Sequence, residues 1–255
     1  MMAHVQQILS SVPLLLFGLL SLLVWRRSGP VRRDRAALGW ALTATAFLVV
    51  GTYSTAHSVL AAAGHMMGKE SALYLQVYDW ALAANLARAL VSVVFGGMLL
   101  VLMLSRRRWA ARVVAASPAV LMVTAILATV VLRPVQYPSG FAFLSTLAIV
   151  AGVTAIVMMA ALFAAISSDG LDQLLWLALA IFTLKETMTV SFLAVIAAWT
   201  MDYAAAYFKV FYWVATVLEL CMLAVAARRL YLAGGGQRVP APFERVHAMR
   251  RPAHG

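Results

Sequence analysis

Seven ionisable side chains lie inside stretches that are otherwise apolar: His57, Asp79, Arg88, Lys185, Glu186, Lys209 and Glu219. A charge held at the middle of a bilayer costs roughly 2.5–3.5 kcal/mol on insertion scales, so each of these groups should face protein or water rather than lipid. Depth sorts them into two sets. Arg88, Lys185, Glu186 and Glu219 fall near the middle of their runs and sum to zero formal charge, whereas His57, Asp79 and Lys209 fall in an outer third. Asn85, Arg88 and Ser92 recur at i, i+3 and i+7, which puts them on one helix face as a polar stripe. Such a set can line an ion or proton path, line a ligand site, or act as a packing network. In the network reading Arg88 pairs with Glu219 or Glu186 and fixes which helices touch. Lys185 and Glu186 are adjacent, so their side chains diverge by about 100° and are not expected to share a partner.

Other chemistries find less support. None of the apolar runs holds a second histidine, which excludes a bis-histidine haem and argues against zinc at His57. There is no nucleophile motif and no phosphate loop, so the chain is not expected to be an enzyme, and no cofactor or metal is expected. Cys221 is the one cysteine, so no intrachain disulfide can form.

The elements that must position these residues are membrane spans. The 255-residue chain is 64% hydrophobic and 11% charged, too little polar surface for a water-soluble domain. A bilayer core about 30 Å thick needs about 20 apolar residues per helix. Seven runs meet or approach that: Ile8–Trp25, Ala36–Ala63, Leu73–Leu104, Val113–Leu132, Phe141–Ile166, Leu171–Trp199 and Tyr203–Leu232. Helix is the natural assignment, because open strands leave backbone groups unsatisfied in lipid. The fold class is therefore all-α, a polytopic seven-transmembrane-helix bundle over residues 1–233, followed by a flexible basic tail, 234–255. Prolines 13, 118, 134 and 138 fall at span ends or in loops, which predicts unbroken helices. Gly51 and Thr55 form a small-xxx-small pair that permits close helix contact.

Fifteen of the 20 basic residues fall on one side: Arg26, Arg27, Arg32, Arg33 and Arg35; Arg106, Arg107, Arg108 and Arg112; Arg228, Arg229, Arg238, Arg245, Arg250 and Arg251. The positive-inside rule then puts the N-terminus outside and the C-terminus in the cytoplasm. Arg26, Arg27, Arg32, Arg33, Arg106, Arg107, Arg108, Arg228 and Arg229 are expected to contact the headgroups of an anionic leaflet. The net charge of +11 is thus a membrane feature, and no nucleic-acid partner is expected. Trp40, Trp109, Trp176 and Tyr231 are expected in an interfacial aromatic belt, as are Tyr78 and Trp80 at the opposite ends. The composition points to a bacterial inner membrane.

Seven helices with an outside N-terminus resemble the microbial rhodopsin layout. Tyr78-Asp79-Trp80 looks like the start of that family's third helix, and Lys209 lies in the helix that would carry a retinal Schiff base. The resemblance implies retinal or another chromophore, with Asp79 as counterion. The chain departs from the family in having Ala205 four residues before the lysine and Gln76 before the Asp79 segment. The short loops and basic tail favour a non-catalytic accessory, scaffold or signal-coupling subunit of a larger membrane complex with membrane-protein partners. A small-solute or proton transporter is the second expectation and the chromophore protein the third.

Overall fold

The computed structural model describes residues 12–28, 34–67, 72–131, 140–168, 170–198 and 201–235. Among these residues the chain is all helix: α1 Val12–Arg27, α2 Arg35–Met67, α3 Ala72–Leu104, α4 Arg107–Val131, α5 Gly140–Ser168, α6 Gln173–Ala198 and α7 Met201–Gly234. Six of them, α2 to α7, are long and apolar enough to cross a membrane, the build of an integral multi-pass membrane protein. The 16 described residues of α1 span about 24 Å at 1.5 Å per residue. Serine and threonine are accommodated within these helices by bonding back to their own backbone. Thr45, Thr55, Ser92, Thr154, Thr183 and Thr187 each donate to the carbonyl four residues earlier.

Packing between helices defines a ring. α1 contacts α2 and α7, α2 contacts α3, α3 contacts α5, α5 contacts α6, and α6 contacts α7. The order around the ring is therefore α1, α2, α3, α5, α6, α7, so that α3 stands opposite α7 and α2 opposite α6. The helix α4 lies outside it, against α2 and α3. Helices α1 and α2 approach closely, backbone to backbone. A Cβ on Gly51 would come within 2.6 Å of the Leu15 backbone, and one on Gly18 within 2.7 Å of the Leu48 amide nitrogen. Gly18 is the partner in this contact that the small-residue pattern around Gly51 left unidentified.

One end of the ring is tied by polar side chains. Asp172 caps α6 by accepting from the Leu175 amide (2.8 Å), and its other oxygen accepts from Trp40 Nε1 and Arg229 Nε, both at 2.8 Å. One buried carboxylate thus joins α2, α6 and α7. Arg35 donates to the Met103 and Ser105 carbonyls, satisfying the last turn of α3 with a cation where the helix dipole favours one. Within the ring on this side, Phe47 packs edge-on against Phe17, Phe95 and Phe182, with centroids 4.7–5.8 Å apart.

Several expectations change. Trp40 is fully buried and hydrogen-bonded, so it does not belong to an interfacial belt, whereas Trp109 and Tyr231 are exposed. Arg229 turns inward to Asp172 instead of outward to headgroups. Arg26, Arg27, Arg106, Arg108 and Arg228 are exposed; Arg32, Arg33 and the Arg107 side chain lie outside the described residues. Helix α4 begins six residues before its apolar run does, so Pro118 falls inside it rather than at its end. Proline has no amide hydrogen for the Val114 carbonyl, and Ser117 Oγ supplies the bond at 2.8 Å. Likewise α2 continues to Met67 and so carries His65, whose side chain is outside the described residues.

Candidate functional site

Beyond the phenylalanine cluster the ring holds a partly open cavity of about 140 Å³, lined by charged, polar and apolar side chains. It is lined from five helices, and the register of each explains its contribution. Ser54, His57 and Ser58 occupy one face of α2; Asn85 and Arg88 one face of α3; Ala151 comes from α5; Tyr212 and Glu219, at i and i+7, come from α7. On α6 the inward direction is marked by Thr189, four residues after Lys185 and three after Glu186. The cavity direction therefore bisects the two charged side chains, and both line it. Their divergence expresses itself as different partners.

Lys185 Nζ donates to Glu219 Oε1, a buried ion pair between neighbouring helices α6 and α7. This overturns the expected pairing of Arg88 with Glu219 or Glu186. The reason is topological: Arg88 is on α3, across the ring from α7, while Lys185 is on the adjacent helix. Arg88 is held instead from within its own helix, where Asn85 Oδ1 accepts from Nε (3.3 Å) and Nη2 (3.1 Å). Glu186 is only 2% exposed, yet its Oε1 has no hydrogen-bond partner, and neither has Glu219 Oε2.

His57 lines the cavity together with this group. Its Nδ1 lies 2.7 Å from the Ala81 carbonyl, which can only accept, so Nδ1 carries a proton and ties α2 to α3. Counted from the α2–α3 connection, His57 is about 15 Å along its helix and Arg88 about 24 Å along its own. The offset closes because helical side chains tilt toward their N-terminus: Arg88 reaches toward Asn85 and the connection, while His57 leans the other way. Asp79 is not among the described residues that line the cavity, and the side chain of Lys209 lies outside the described residues. Of the expected outer trio, His57 alone is among the described residues that line the cavity.

Phe192 of α6 and Phe211 of α7 stack with centroids 4.3 Å apart and 11° between planes, and both line the cavity on the side away from Phe47. Among the described residues no group of three or more His, Cys, Asp or Glu is arranged to hold a metal. Comparison of the chain with protein-family models, with curated proteins and with solved structures finds no match.

Proposed function

We propose that this membrane protein binds a small polar solute at the centre of its helix ring, as a solute carrier or solute receptor. The observation that carries the reading is the cavity itself. Charged side chains turn inward from α3, α6 and α7 and polar ones from α2 onto one space, while large apolar side chains such as Ile149, Phe163 and Val210 are exposed outside. A packing network alone is best served when every buried charge is paired; Glu186 and Arg88 have no ion-pair partner among the described residues. At about 30 Å³ per water the cavity holds four or five waters, or a compact solute in their place. The phenylalanine cluster packs toward the arginine-rich end, and the Phe192–Phe211 stack lies toward the other. In this proposal the α1 run completes a seventh span and the arginine-rich end faces the cytoplasm against anionic lipid, in a bacterial inner membrane. Solute then enters from outside.

A second reading, an accessory subunit of a larger membrane assembly, is favoured by α4, which packs outside the ring and exposes most of its apolar surface. Thermal unfolding of the full chain in detergent micelles separates the two. The probes are sodium chloride, potassium chloride, acetate, methylammonium chloride, glycine, alanine and glucose. At one hundred times its Kd a bound solute stabilises by about 2.7 kcal/mol. At least one probe is expected to stabilise the natural protein and not an Ala151→Leu variant, whose larger side chain fills the cavity. A panel without effect on the natural protein, with co-purification of a membrane partner, would put the accessory reading first.

A further inference from the structure

Two opposite charges share the cavity without meeting. Arg88 and Glu186 both line it, yet no ion pair joins them. Nor do the neighbouring groups satisfy them. Glu219 engages Lys185 through one oxygen, and Asn85 occupies only the Nε and Nη2 side of the Arg88 guanidinium, leaving Nη1 without an acceptor among the described residues. The two charges stand on α3 and α6, which are not adjacent in the ring. A buried carboxylate oxygen with no donor is costly, and Glu186 Oε1 is such an atom. Half-buried Arg88 offers Nη1 to the same space, so a ligand there can serve both.

A single cation would satisfy Glu186 and leave Arg88 bare, and a single anion would do the reverse. A small molecule that carries both charges satisfies both. We infer that the cavity takes a small zwitterion of the α-amino-acid class, with its carboxylate on Arg88 and its ammonium on Glu186. Asn85 is then a positioning residue that turns the guanidinium fork toward the ligand. Glu219 Oε2, on the neighbouring helix, is a second bare acceptor for an ammonium that has three protons to donate. The dimensions favour glycine or alanine over long side chains.

This inference rests on the solute-binding reading, and its test keeps the two apart. Isothermal titration of the full chain in lipid nanodiscs uses glycine as the zwitterion, with acetate and methylammonium as its two halves. Glycine is expected to bind at least tenfold more tightly than either half. Arg88→Gln should weaken glycine and acetate at least tenfold and leave methylammonium unchanged; Glu186→Gln should weaken glycine and methylammonium and leave acetate unchanged. Because the comparison of glycine with its halves uses only the natural protein, it holds even if a variant fails to fold. If either half binds as tightly as glycine, the zwitterion assignment is wrong while solute binding stands. Absence of binding by any of the three, together with a silent solute panel, overturns both.

Discussion

The pairing of Lys185 with Glu219, and not of Arg88 with Glu219, can be put to a quantitative test. Replacing Lys185 by methionine leaves the Glu219 carboxylate buried without its cation, and removing one partner of a buried pair typically costs 3–5 kcal/mol. The Glu219→Leu variant strands the Lys185 ammonium in the same way, at a similar cost. The double variant Lys185→Met with Glu219→Leu presents two apolar side chains to each other, an exchange that is commonly neutral or stabilising. Its loss should therefore be about 1–2 kcal/mol at most, far below the sum of the single losses. The implied coupling is several kcal/mol. A second cycle with Arg88→Gln and Glu219→Leu should show a much smaller coupling, since the two stand on opposite helices and share no bond. Reversible unfolding in mixed micelles, followed by tryptophan fluorescence, measures all of these. A double-variant loss equal to the sum of the single losses in the Lys185 cycle, or strong coupling in the Arg88 cycle, would refute the assigned neighbours.

Other consequences follow from the same structure. Asp172→Ala removes the α6 cap and strands both Trp40 and Arg229, so a loss of about 3–5 kcal/mol is expected in the same unfolding assay. Asp172→Asn, which keeps an acceptor oxygen, should lose clearly less; equal losses would mean that charge, not hydrogen bonding, sets the cost. Gly51→Val forces a side chain against the Leu15 backbone and should destabilise by about 1–3 kcal/mol, visible as a lowered Tm. A neutral effect would disprove the close α1–α2 approach. In a Cys221→Ser background, Ser58→Cys should react with a small thiol reagent faster when Phe211→Ala is added, since half of the stacked pair is gone. An unchanged rate would place the access route elsewhere.

How much of this was legible in the residues alone depends on whether a feature is local. Helices, their approximate extents and their membrane character follow from run length and composition, because lipid admits few other solutions for the backbone. The ionic residues of the middle depth could be picked out for the same reason: charge amid apolar sequence has few explanations, and Arg88, Lys185, Glu186 and Glu219 all line the cavity. Asn85 was visible through its three-residue spacing from Arg88. Residues that looked ordinary could not be assigned. Trp40 has the sequence context of a belt tryptophan, and Arg229 that of a headgroup contact; each is committed to Asp172, which lies more than fifty residues from either.

What the sequence determined by itself was a set of apolar helices that must hide several charges from lipid. Which charges meet was decided only by the order of helices around the ring, because neighbours in space are set by packing and not by depth. That order puts Lys185 beside Glu219, sets α3 across from α7, and brings His57 into a space lined also by Arg88 and Glu186. The cavity exists because side chains from five separate stretches converge on it, and no single stretch of the chain carries that information.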